Sequence, residues 1–156
     1  MSSPKPEQPR LPPRWIVRGA WVGHRALYSA TRGHLGLRPV TPGRWGMLRL
    51  CTTGRRSGQE RRAILAYFED GPDLVLLSMN GWSEGATGWS LNLRAAPDAV
   101  VELPDGTRRP VRARFAEGEE RERLWAAWAT YGTDLDAFAA RRSDTPVIVL
   151  EPRSDD

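Results

Sequence analysis

Between residues 45 and 77 short apolar runs alternate with turn residues. Runs of this length, bounded by Gly, Asp and Pro, are how antiparallel strands show themselves in a sequence. Strands are predicted over residues 45–52, 61–68 and 74–79, joined by a tight connection at 53–58 and a turn at 69–73. Asp105-Gly106, between apolar-rich stretches at 99–103 and 107–115, is a strong hairpin signal, since both residue types tolerate the positive φ of a two-residue turn. A last strand is read at 146–150. The spacing predicts a short helix over 89–96, stopped by Pro97, and a longer one over 117–131. The latter has acidic residues in its first turn and Leu124, Trp125, Trp128 and Tyr131 at helical intervals. A further helical turn is read at 134–141. About six mostly antiparallel, hairpin-connected strands with helices packed outside define an α+β fold built on a small barrel.

One domain of ordinary globular chemistry is expected from 156 residues, 40% hydrophobic and 27% charged. Residues 1–13, rich in Pro and polar groups, read as a disordered tail. Residues 14–32 read as an amphipathic helix with Arg14, Arg18, Arg25 and Arg32 at its flanks, and 33–153 as the barrel domain. The N-terminal helix can pack on its own domain or lie on an acidic membrane face. No apolar stretch approaches the roughly 18 residues of a membrane-spanning helix, and the N-terminus lacks the apolar core of a signal peptide. A cytoplasmic setting, with peripheral contact to the inner membrane face, is the expectation.

The residue types exclude several chemistries. Cys51 is the only cysteine, which rules out an intrachain disulfide and a multi-cysteine metal site. His24 and His34 are the only histidines, and neither has a Cys, Asp or Glu at ligand spacing, so no metal site is expected. Cys51 reads as a buried small hydrophobe. Glu117, Glu119, Glu120 and Glu122 suit a helix start rather than a catalytic pair. The net charge is +4 and the pI about 10.0, carried almost wholly by arginine, since Lys5 is the only lysine. Guanidinium forks grip phosphates and carboxylates, so an anionic partner is indicated. Nucleic acid is not the expected one, because neither a helix-turn-helix pattern nor basic strands interleaved with aromatics are present.

The richest motif is Thr52-Thr53-Gly54-Arg55-Arg56-Ser57-Gly58-Gln59-Glu60-Arg61-Arg62, lying between two expected strands. Its glycines let backbone amides turn toward an anion, its hydroxyls donate, and its arginines neutralise charge. It is not a P-loop, lacking the Gly-Lys-Ser/Thr ending and the following helix. A solvated basic hairpin and an anion cradle are both open readings of these residues. Trp89, Asn92 and Leu93 are equally open: core residues with an asparagine tied to backbone groups, or part of a site.

Thr52 to Gly58, then Arg61, then Leu65-Ala66-Tyr67, and later Trp89-x-x-Asn92-Leu93-x-Ala95-x-Pro97 resemble the deazaflavin-dependent nitroreductase family. These are the split-barrel, coenzyme F420-dependent nitro- and quinone reductases of actinobacteria, and the resemblance runs from about residue 25 to 153. It implies an α+β split β-barrel of the kind that also binds FMN. It also implies that Thr53, Gly54, Arg55, Arg56, Ser57, Gly58 and Arg61 hold the phosphate and acidic tail of the cofactor, with Arg56 standing where the family has Lys. The family loop that borders the deazaflavin ring falls on Ser78, Met79, Asn80, Gly81 and Trp82. Here Met79 replaces a serine and Trp82 a glycine, while Thr87 and Ile64 replace prolines. Trp89 and Asn92 complete the implied cofactor set. Tyr131 matches tyrosines that face the substrate, and its phenol can hydrogen-bond or donate a proton to a nitro or quinone oxygen. The implied activity is hydride transfer from reduced F420 to a quinone, nitro compound or other activated acceptor. The alternative is a split barrel that holds a deazaflavin, a lipid or FMN without turnover. A homodimer is left open.

Overall fold

The computed structural model describes residues 13–16, 18–20, 22, 36–131 and 134–154. Six strands form one closed barrel: β1 (Gly46–Thr53), β2 (Glu60–Asp70), β3 (Asp73–Leu77), β4 (Asp98–Glu102), β5 (Arg108–Phe115) and β6 (Val147–Pro152). The order around it is β1-β2-β3-β6-β5-β4, and β4 closes onto β1 through Arg49↔Glu102, Leu50↔Val101 and Cys51↔Val100. Every pairing is antiparallel. Within the described residues, α1 (Gly88–Ala95), α2 (Gly118–Ala129) and α3 (Leu135–Ala139) accompany the barrel.

Period-two alternation assigns the faces. Leu48 and Leu50 of β1, Leu74 and Leu76 of β3, Val101 of β4, Val111 of β5 and Ile148 and Leu150 of β6 fill the interior, joined by Leu93 from α1. The residues between them on β3 and β6 face outward and are buried too. Val75, Leu77, Val147 and Val149 pack with Phe68 against Leu124 and Trp128 of α2 and Leu135 of α3. Burial on both faces is why these two strands read as continuous apolar runs rather than alternating ones.

Strand ends differ from the sequence expectation at β2, at β3 and at β6, which runs Val147–Pro152 rather than 146–150. β2 continues through Asp70, because the turn to β3 needs only Gly71, at φ +61°, and Pro72. β3 stops at Leu77 instead of Met79: Ser78 N–H still donates to Pro146 O, but at Met79 the chain turns away into a single 3-10 turn, Asn80–Trp82. The hairpin turn at Asp105-Gly106 stands as expected, with Glu102 opposite Arg108. Asp134 caps α3, its carboxylate accepting from Ala137 N–H at 3.1 Å. At the N-terminus residues 14–16, 18–20 and 22 are helical and exposed. The remainder of the expected 14–32 helix and residues 1–12 of the expected tail lie outside the described residues. No helix among the described residues is long and apolar enough to cross a membrane.

Ion pairs clamp α2 to the barrel. Arg114 of β5 donates to both carboxylate oxygens of Glu120, at 2.5 and 2.7 Å, and pairs with Glu151 of β6. Arg123 forms a two-pronged bridge to Asp70, 2.9 Å on each arm. The guanidinium hydrogen bonds hold both Asp70 and Glu120 below their ordinary carboxylate range. A carboxyl whose folded pKa is depressed stabilises the fold above its unfolded pKa and loses that contribution as pH falls through the folded value. Unfolding midpoints in urea should therefore fall as pH drops below about 4.5. The double variant Asp70→Asn/Glu120→Gln should lose stability at neutral pH and show a flatter acid limb; an unchanged acid limb would show that these pairs do not couple to folding.

Candidate functional site

The β1–β2 connection is shaped by its glycines. Gly54 N–H donates to Gln59 O at 2.7 Å and Gly58 N–H to Gly54 O at 2.8 Å, with Gly58 at φ +70°. A Cβ on Gly54 would lie 3.0 Å from both Gln59 O and Ser57 Oγ, so the loop closes this tightly only without a side chain there. Ser57 Oγ accepts from Gln59 N–H at 3.2 Å and faces Arg61 Nη2 at 3.5 Å.

The second sequence motif meets the first through one residue. Asn92, 5% exposed on α1, accepts at Oδ1 from both the backbone N–H and Nη1 of Arg55, each at 3.2 Å. Its Nδ2 donates to Thr52 Oγ1 at 3.1 Å. A cleft of about 340 Å³ opens between the two motifs. Arg55, Arg56, Ser57, Arg61 and Arg62 line one side, and Gly88, Trp89 and Asn92 of α1 the other. Among the described residues only Arg62 of these four arginines is ion-paired, to Glu60 at 2.6 Å, which leaves the cleft strongly cationic. Thr53 and Gly58 are not brought into this lining. The β-period turns Thr52, not Thr53, inward beside Leu48 and Leu50, and Gly58 sits on the outer bend of the loop.

Residues 78–85 form the neighbouring loop. Ser78, fully buried, bonds through Oγ to Thr87 Oγ1 at 2.9 Å, and Thr87 caps α1 by accepting from Ser90 N–H. Asn80, Gly81 and Trp82 are consecutive left-handed residues at φ 47°, 60° and 61°, which costs roughly 1–2 kcal/mol at each non-glycine position. Two side chains hold this shape. Asn80 Nδ2 donates to Glu84 O at 3.0 Å and Gly85 O at 3.2 Å. Arg142, buried just after α3, donates to Met79 O at 2.6 Å, Ser78 O and Gly85 O at 3.2 Å, and Ser83 O. Burial pushes its guanidinium pKa down, with Glu84 and Asp144 opposing. Arg142 carried no signal in the sequence, where it is one arginine among many, between the helical turn read at 134–141 and the strand read at 146–150.

Trp82 leaves the cleft entirely. Its indole stacks on Phe138 of α3, ring centroids 5.3 Å apart and 21° between planes, and Met79 packs against the same outer cluster. Tyr131, just beyond α2, packs with Trp45, Phe68 and Trp128 at centroid distances of 6.0 to 6.3 Å. It does not line the arginine cleft. Cys51 is buried in β1, and desolvation raises its thiol pKa, which disfavours a thiolate nucleophile.

A closed six-stranded antiparallel barrel with helices on its flank and a cationic loop at one strand end is a split β-barrel. A solved F420-H2 dependent reductase superposes with a TM-score of 0.61 at 26% identity, covering 67% of this chain and 93% of that one. A solved domain-swapped dimer shares the fold, with a TM-score of 0.63, 23% identity and coverage of 86% and 99%. Residues 22–152 match the F420H(2)-dependent quinone reductase family, and the chain belongs to it. An F420H(2)-dependent quinone reductase of Mycobacterium tuberculosis is 36% identical over 100 residues, 62% of this chain and 64% of that protein. The chain thus spans just under two thirds of the length of such curated relatives.

Asn92→Ala should lower stability by about 1–3 kcal/mol, since it strands Thr52 Oγ1 and the Arg55 amide in a part-buried setting. Urea unfolding reads the loss, and a change within error would mean that the loop holds itself without α1.

Proposed function

We propose that the chain is an oxidoreductase that binds coenzyme F420 and uses it to reduce a quinone, a nitro compound or a similar activated acceptor. The observation that carries this reading is the convergence of Arg55, Arg56 and Arg61 on one cleft, with Arg55 fixed by Asn92. The donor set fits a phosphate and carboxylate tail: guanidinium forks, a serine hydroxyl, and a glycine loop whose Cβ-free backbone lets the chain close around an anion. Membership of the quinone reductase family supports the activity, and a reductase relative of 26% identity supports the cofactor.

When bound, the deazaflavin supplies the hydride, two electrons and one proton equivalent, so the protein needs no nucleophile of its own. Arg55, Arg56, Ser57 and Arg61 grip the anionic end. Asn92 keeps Arg55 from swinging to solvent, and Trp89 walls the cleft. Thr87, which caps α1 and bonds to Ser78, joins the cleft wall to the loop 78–82, which would border the ring. Tyr131 would offer its phenol to an oxygen of the acceptor, and the surrounding aromatic rings would exclude water.

Titration with oxidised F420, followed by tryptophan quenching, should show saturable binding that Arg55→Ala/Arg56→Ala weakens by at least about tenfold, the loss of one to two charge-assisted hydrogen bonds. Tighter binding of FMN than of F420 would redirect the site to a flavin. Tight F420 binding with no turnover of quinone or nitro acceptors would leave a ligand-binding barrel in its place.

A cytoplasmic protein resting on the inner membrane face is part of the same reading. Its support is the helical N-terminal segment, where Trp15 is 74% and Val22 64% exposed beside Arg14 and Arg18. Wild-type protein should co-sediment with anionic phospholipid vesicles and a variant lacking residues 1–32 should not; equal sedimentation of the two would end the idea.

A further inference from the structure

Arg142 is out of place for an arginine of this chain. Of the ion-paired arginines, Arg62, Arg108, Arg112, Arg114, Arg123 and Arg153 are 40–59% exposed along the side chain, and Arg49, at 16%, meets the Glu102 carboxylate. Arg142 is 9% exposed, and the hydrogen bonds it donates end on backbone carbonyls and one hydroxyl rather than on a carboxylate. Its whole donor set is spent on oxygens of two loops: Ser78, Met79, Ser83 and Gly85 carbonyls on one side, Asp144 O and Thr145 Oγ1 on the other. A planar fork with five N–H groups can span four carbonyls of one loop, and an ammonium cannot. The loop so held contains two non-glycine residues in left-handed backbone, Asn80 and Trp82. Such conformations persist only where the surroundings over-determine them, and they gather at functional sites.

The loop also connects physically to the cationic cleft. Ser78 bonds to Thr87, Thr87 caps α1, and the next two residues, Gly88 and Trp89, line the cleft. A ligand anchored by its anionic end beside Arg55 and extending past the start of α1 therefore meets this loop. We propose that Arg142 is a positioning residue for the ring end of the site, holding residues 78–85 in the single conformation that places a bound ring, while Arg55 and Arg56 hold the tail. The inference rests on the proposed function and deepens it by dividing the site into two separately anchored halves. It also gives the Trp82 substitution a place: the left-handed turn that Arg142 maintains sends the indole to Phe138 and keeps it off the ring side.

Arg142→Lys keeps the charge and loses the fork. In cofactor-free protein, hydrogen exchange should accelerate across residues 78–85, where Trp82 N–H donates to Met79 O at 2.7 Å. The deazaflavin fragment lacking phosphate and acidic tail should lose affinity at least tenfold in the variant, while intact F420, gripped at its tail, loses much less. With F420 saturating, kcat should fall between about ten- and a hundredfold, the cost of misplacing a reacting group by about an ångström. Should Arg142→Lys not fold, Asn80→Gly tests the same loop, since glycine accepts the left-handed φ yet removes the bonds to Glu84 O and Gly85 O; exchange and fragment affinity should move the same way. A lowered melting temperature with an unchanged ratio of fragment to whole-cofactor affinity would make Arg142 merely structural and overturn the inference alone. Wild-type protein that fails to bind intact F420 would overturn the proposed function, and the inference with it.

Discussion

Antiparallel pairing of β4 with β1 closes the sheet on itself, and the geometry of the site follows from that closure. A closed barrel has no free edge, so each strand's backbone groups are satisfied and the interior can be wholly apolar. Leu50, opposite Val101 at the seam, is fully buried, as is Val101 itself. β1 is paired with β4 over Arg49–Cys51 and with β2 as far as Thr53↔Glu60, so the loop that follows leaves from a paired strand end. Helix α1 precedes β4 directly, so the same seam brings Asn92 beside Thr52 and Arg55.

Arginine serves three different purposes in this molecule, and its surroundings decide which. On the surface Arg114 and Arg123 tie α2 to the barrel through half-buried carboxylates, where water and salt moderate each bridge. Beside α1 the guanidinium groups of Arg55, Arg56 and Arg61 face a cleft without carboxylates in its lining, so their charge is available to an anion. Inside the loop, Arg142 donates to backbone carbonyls, with the Glu84 and Asp144 charges nearby, and its fork acts as scaffolding. A chain whose cationic surface is almost all guanidinium can do this because a planar, always charged group works both as a charge and as a rigid set of donors.

Much of the architecture was legible because period-two alternation and turn chemistry are local. The Asp105-Gly106 hairpin, the short α1 ended by Pro97 and the paired β1 and β2 all follow from residues near one another in sequence. The cationic motif was legible for the same reason. Its partner was only half legible: Asn92 could be matched by resemblance, but that it binds the Arg55 amide and Thr52 hydroxyl depends on contacts 37 and 40 residues apart. Arg142 was invisible, since its role depends on carbonyls 57 to 64 residues away. The direction of the Trp82 side chain was not legible either, because it depends on α3 bringing Phe138 against the loop.

By itself the sequence determined where strands and turns fall, which residues alternate into a core, and that one basic, glycine-bearing loop is suited to an anion. Each of these is set by short-range sterics, hydrophobic periodicity and residue chemistry. The tertiary structure alone decided that Thr52 rather than Thr53 faces the cleft, that Tyr131 joins the aromatic flank, and that Arg142 organises the loop at 78–85. Those outcomes require barrel closure and helix packing to bring distant segments together, and the energy of a buried hydrogen bond belongs to the pair of groups that meet, not to either stretch of chain alone.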